Sequence, residues 1–132
     1  DAEQVIPKAG RLGYLSFMLP APGGSSWLTV YRDRARNRVG VFLSASRNSA
    51  GEHAMEAIAR DWPEVGPQLG DSAQLTQVEG RSRIGDHLQV LSLDDPSERD
   101  RAFRWLADRV NTFVNVLRPR VRSAVADYQE EQ

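Results

Sequence analysis

The chain has 132 residues, with 17 Lys and Arg against 18 Asp and Glu, 40% hydrophobic residues and no cysteine. That length allows one globular domain that hides roughly two thirds of its unfolded surface without disulfides or a structural metal, and zero cysteine excludes a disulfide scaffold, a Cys-ligated zinc site, an iron–sulfur cluster and a thiol nucleophile. A net charge of −1 excludes coating of nucleic acid by bulk charge, so any such binding must come from a local patch.

The N-terminal lead, Asp1-Ala2-Glu3-Gln4, has neither Met nor the charged-then-apolar pattern of a signal peptide, which predicts a domain excised from a longer chain. Residues 1–11 and 130–132 are expected to be flexible ends of a single domain over 1–132. No apolar run approaches the roughly 20 residues of a bilayer-spanning helix. After Gly10 and Gly13, Tyr14 to Leu19 reads as a first strand, ended by Pro20-Ala21-Pro22-Gly23-Gly24. Ser26 to Asp33 and Arg38 to Ser44, rich in Val, Tyr, Phe and Trp, predict a hairpin joined by Arg34-Ala35-Arg36-Asn37. Val39, Val41 and Leu43 then share one face, and Gly40, Phe42 and Ser44 the other.

Asn48 as N-cap, with Ala54, Met55, Ile58 and Ala59 at helical spacing, predicts a helix up to Trp62. Pro63 disfavours helical geometry at Trp62, so Glu64 to Gly70 reads as a broken turn. Leu75 to Glu79 and His87 to Leu93 predict a second β pair, with Gly80 to Gly85 between them as a loop or bulged strand. Asp95 as N-cap, Pro96 at the first helical position and Glu98 at the third predict the start of a long helix. Its apolar stripe runs through Phe103, Leu106, Val110, Phe113 and Leu117, and Val121, Ala124, Val125 and Tyr128 resume it after an expected kink at Pro119. The fold class is therefore α+β: a mostly antiparallel sheet of about five strands, in the order β-β-β-α-β-β-α, against a long C-terminal helix.

No active-site constellation accompanies these elements. His53 and His87 lack metal-ligand spacing, and His53, beside Glu52 and Glu56, reads as a solvated helical residue. There is no nucleophile elbow, phosphate loop or dinucleotide fingerprint. Asp94-Asp95 is explained by helix capping. A restriction-type nuclease core requires an acid-x-Lys triplet on the strand after its first acid, so that two carboxylates hold Mg²⁺. Asp33 could be that first acid, but the next strand has none and the chain's single lysine is Lys8. The expectation is no enzyme activity, no metal and no cofactor.

Two arginine sets remain as anion or nucleic-acid contacts. Arg34, Arg36 and Arg38, with Arg32, alternate through the hairpin tip near Trp27 and Tyr31, where they either grip phosphates or simply keep an edge from pairing. Arg81-Ser82-Arg83 lies between Gly80 and Gly85, where a glycine-bracketed loop could offer backbone N–H groups and two guanidinium forks, or be a plain polar connection. Arg118, Arg120 and Arg122 are accounted for by a helix C-terminus. Trp62 and Trp105 read as lids on the core.

Taken in order, Arg38-Val39, Gln68-Leu69-Gly70, Glu79-Gly80-Arg81-Ser82-Arg83-Ile84, Phe103-Arg104-Trp105-Leu106, Phe113 and Leu117-Arg118-Pro119 resemble the bacterial family of unknown function DUF4268, over about residues 12–125. Members of that family sit as C-terminal modules behind nuclease-like domains and have no established activity. Arg38, Ser82 and Arg83 match positions recurrent in it, whereas Gly40-Val41 stands where members carry an acid. The resemblance implies a cytoplasmic, nuclease-associated accessory domain of a DNA-processing or defence-type protein. Its expected partners are DNA, bound weakly and with strong salt dependence, and a neighbouring nuclease domain. A protein-interaction or homodimerisation module is the alternative, and a degenerate nuclease-like domain a third reading.

Overall fold

The structure, a computed structural model, describes residues 14–18 and 26–130. The expectations for residues 1–11 and 131–132 and for the turn at 20–24 lie outside the described residues, while Glu130, expected in a flexible end, is the last residue of a helix. Five strands, β1 (Tyr14–Met18), β2 (Ser26–Asp33), β3 (Arg38–Ala45), β4 (Gln74–Val78) and β5 (Arg81–Gln89), form one antiparallel sheet in the order β1-β2-β3-β5-β4. Helices α1 (Ala50–Arg60), α2 (Trp62–Leu69) and α3 (Pro96–Glu130) complete the α+β fold.

Strand alternation decides what each sheet face does. Leu28 and Val30 on β2, Val39, Val41 and Leu43 on β3 and Ile84 on β5 all point to the helix side and are buried. All but Val39 meet Ala54, Met55 and Ile58 of α1, Val65 and Leu69 of α2, and Val110, Phe113, Val114, Leu117, Val121 and Val125 of α3. A smaller cluster of Val39, Val90, Leu93 and Ala102, with Trp105 against it, closes the other end. Trp62 packs on the main cluster, so both tryptophans serve the core as expected.

The β2–β3 hairpin forms with the expected boundaries. Its four-residue loop ends at Asn37 (φ 53), a residue type that tolerates the left-handed region. The β4–β5 boundary differs from expectation. Val78 pairs with Arg81, leaving a two-residue turn in which Glu79 (φ 54) and Gly80 (φ 77) both have positive φ, the type I′ hairpin. Arg81-Ser82-Arg83 is therefore not a loop but the start of β5.

Helix starts follow local chemistry. Ser49, not Asn48, caps α1: its Oγ accepts from the amide of Glu52 at 3.1 Å, while Glu52 Oε1 accepts from the amide of Asn48, at φ 59, at 3.0 Å. Residues 62–69 form α2 rather than a broken turn, because Pro63 sits in the first turn, where its missing N–H has no partner to lose, and Pro67 faces solvent. Asp95 caps α3 as expected, its Oδ1 accepting from Ser97 N at 3.0 Å.

The helix α3 is a single element through Pro119 rather than two. The carbonyl that loses its donor there belongs to Asn115, which is exposed, as is Pro119, so water can replace the bond. Phe103 departs from the expected stripe: it is 42% exposed, and Ala102 is the residue turned inward. Arg118, Arg120 and Arg122 lie well inside α3, so its C-terminal dipole does not explain them; Arg120 instead pairs with Asp61 at 2.9 Å.

Candidate functional site: the helix-free face of the sheet

The face opposite the helices carries the side chains that alternate with the core set. Two cross-strand pairs shape it, Tyr31 opposite Gly40 on β3 and Phe42 opposite Gly85 on β5. A Cβ at Gly40 would overlap the Tyr31 ring, so that glycine makes room for an aromatic ring across the strand, whereas one at Gly85 would crowd the Val41 carbonyl at 3.0 Å and Phe42 Cβ at 3.1 Å, so there the backbones themselves approach closely. The Tyr31 and Phe42 rings lie 6.0 Å apart at 51°, and the guanidinium of Arg83 sits 4.1 Å from the centroid of Phe42.

Two hollows open beside this shelf. One, of about 360 Å³, is lined by Tyr31, Phe42, Gln74, Thr76, Arg83 and His87 among others. The second, of about 300 Å³, is lined by Trp27, Ser44, Val78, Arg81 and Arg83 among others. Arg83 borders both. Arg81 donates to the carbonyl of Ala45 at 3.2 Å, which holds the head of its side chain at the second hollow. Burial pushes the Tyr31 phenol above its ordinary value, against the opposing fields of Arg38 and Arg83.

The arginines divide by partner. Arg34 pairs with Asp94 at 2.5 Å and Arg36 with Asp33 at 2.9 Å, so these two hairpin residues spend their charge on the chain's own carboxylates. The tip is also tied down: Val90 N donates to Asn37 O at 2.9 Å, and Leu93 N to Asn37 Oδ1 at 3.0 Å. The expected phosphate-gripping tip is thus a docked turn. Ser82 borders the second hollow with Arg81 and Arg83, but it is buried, alternates to the helix side of β5 and accepts from Gln77 Nε2 at 3.0 Å, so its hydroxyl is engaged within the hairpin. Among the described residues no carboxylate lies within ion-pair distance of Arg38, Arg81 or Arg83. Of the six expected contacts, those three share the helix-free face.

Sequence reasoning missed Tyr31, Phe42 and Gly85 as parts of one surface. The available signal was alternation carried through Arg81, Arg83, Gly85 and His87, which a glycine-bracketed reading interrupts.

Other titratable groups tie elements of the fold together. Beneath the sheet, Asp86 and Arg109 form an ion pair at 3.0 Å with side chains 1% and 13% exposed. Asp86 also accepts from Ser72 Oγ at 2.7 Å, and Arg109 donates to the carbonyl of Leu69. His53 rests against the Tyr128 ring at 4.7 Å. Among the described residues no three His, Asp or Glu side chains are grouped to hold a metal ion, and no helix is long and apolar enough to cross a membrane.

No family model and no curated protein matches the chain. A chain in the solved structure titled "Crystal Structure of the ExsC-ExsE Complex" is 12% identical, with a TM-score of 0.32, over 80% of this chain and 76% of that one.

Proposed function

We propose that the chain is a non-catalytic accessory domain of a bacterial, cytoplasmic DNA-processing or defence-type protein, and that it contacts nucleic acid through the helix-free face of its sheet. The setting, behind a nuclease-like domain, is taken from the resemblance to DUF4268. The observation that carries the contact is the row of Arg81 and Arg83 beside Trp27 and Phe42, continued by Arg38 near Tyr31 toward the other end of the same face, all three unpaired with carboxylates among the described residues. Guanidinium groups meet phosphate as planar forks, and a patch can do so on a chain of net charge −1 because the field that matters is local. Anisotropy titrations with labelled DNA should give weak binding that collapses in the Arg38→Gln, Arg81→Gln, Arg83→Gln triple variant and persists in Arg34→Gln, Arg36→Gln. Equal loss in both variants, or no binding by the wild-type chain, refutes the assignment.

A second reading has its own observation. The edge strand β4, Gln74-Leu75-Thr76-Gln77-Val78, carries no charge and no proline, and Val78 is 39% exposed. Edges normally bear such protections against pairing, so this one suits strand addition by a second copy of the chain. Sedimentation at high concentration should then show a dimer that Thr76→Lys abolishes; a strictly monomeric profile removes this reading.

A further inference from the structure

The two hollows, with Arg83 between them, point to a more specific ligand, and we infer that the helix-free face takes single-stranded nucleic acid by stacking two bases of one strand, one on Tyr31 and one on Trp27, with a phosphate of the backbone between them on Arg83. The inference rests on the reading of this face as a nucleic-acid contact. Tyr31 lines the first hollow, Trp27 lines the second, and Arg83 is common to both. Along one strand, same-face positions recur about every 6.8 Å. Tyr31 and Trp27 are four residues apart on β2, so their ring positions are separated by roughly 14 Å; one step beyond the Leu43–Ile84 pair, the Arg83 backbone falls level with Ser44 and Trp27, but its guanidinium reaches over Phe42, which pairs with Thr29 midway between the two rings.

Each part has a chemical counterpart in a splayed single strand. Aromatic faces accept any base, because every base has a π-face, and alternate with cations that track the backbone. The Arg83 guanidinium already rests on the Phe42 ring, 4.1 Å from its centroid, so its fork is held before a phosphate arrives and loses little freedom on binding. Gln74 and Thr76, on the rim of the first hollow, add amide and hydroxyl groups able to reach a base edge. A duplex keeps its bases paired and stacked inside, so it can offer these rings nothing but its backbone.

The test uses the purified chain and three fluorescein-labelled probes, each roughly ten nucleotides long: oligothymidylate, the same length as a duplex, and an abasic sugar-phosphate strand. The expected result is oligothymidylate binding about tenfold tighter than either other probe, with Tyr31→Leu and Trp27→Leu each removing about that factor while leaving abasic binding unchanged. Tryptophan emission should be quenched by oligothymidylate in the wild type and unquenched in Trp27→Leu. Circular dichroism melts of each variant separate misfolding from lost contact. Equal affinity for all three probes overturns base stacking while leaving the phosphate contact intact. Equal or tighter binding of an acidic polyglutamate peptide overturns the nucleic-acid ligand, and failure of every probe overturns the underlying reading as well.

Discussion

A single buried ion pair, Asp86 with Arg109, joins β5 to α3 and, through the Leu69 carbonyl, to the end of α2. Removing one partner leaves a charge without water or counter-ion, which costs about 3–5 kcal/mol. Asp86→Asn and Arg109→Met should each lower the urea midpoint by that measure, and an Asp86→Leu, Arg109→Met pair should recover much of the loss. A double variant less stable than either single variant would contradict the account. Tyr31 and Gly40 make a second coupled pair: Gly40→Ala displaces the ring, so its cost should shrink when Tyr31 is already Ser, a non-additivity that a double-mutant cycle measures. Protonation gives a third test. The Arg36 side chain holds Asp33 below the usual carboxylate range, and Arg101, helped by the Leu91 amide, does the same for Glu98. A lowered folded value means stability present above the ordinary value of about 4 and lost as pH falls through the folded one. Tyr31 has the opposite sign: its raised value keeps stability complete below about pH 10 and loses it as pH rises further. Melting curves across pH should therefore fall on both sides, with the acid limb flattened in Asp33→Asn, Glu98→Gln and the alkaline limb in Tyr31→Phe.

Among the elements, α3 is the one whose sequence both announces and disguises it. Its start is written in Asp95-Pro96, and its stripe in Val110, Phe113, Leu117 and Val121, which are buried as the spacing requires. Its continuity is not legible, because Pro119 reads as a break and only the exposure of Asn115 shows that water can take the freed carbonyl. Pro119→Ala restores that bond and should raise stability by about 1–3 kcal/mol, read as a higher melting temperature; a lower one would mean that the proline shapes the packing. Phe103→Gln, by contrast, should change stability by less than about 0.5 kcal/mol, since the ring is outside the core. The β4–β5 hairpin shows the same division. Its strands alternate plainly, but Glu79-Gly80 is an unusual pair for a turn with two positive φ values, and Gly85 looks like a loop residue until the Phe42 ring is found opposite it.

At the scale of the whole molecule, a near-neutral chain separates its charges by pairing some and isolating others. Arg34, Arg36, Arg101, Arg104, Arg109 and Arg120 have carboxylate partners, while Arg38, Arg81 and Arg83 share a sheet face. If those three each neutralise one phosphate of a single strand, the logarithm of the binding constant should fall with the logarithm of salt at a slope of about −2, and each Arg→Gln change should reduce that slope by about 0.7. A flat salt dependence would place the binding energy elsewhere. Local pattern was enough to determine the α+β class, the β2–β3 hairpin, the capped start of α3 and the apolar faces of β3 and α1, because periodicity and capping act between residues a few positions apart. Which arginines remain without a carboxylate, that Gly40 seats the Tyr31 ring, and that the Ser82 hydroxyl is taken by Gln77 were decided only by tertiary structure. Those outcomes depend on register across strands and on carboxylates up to 60 positions away, as with Arg34 and Asp94, and no nearest-neighbour rule reaches that far.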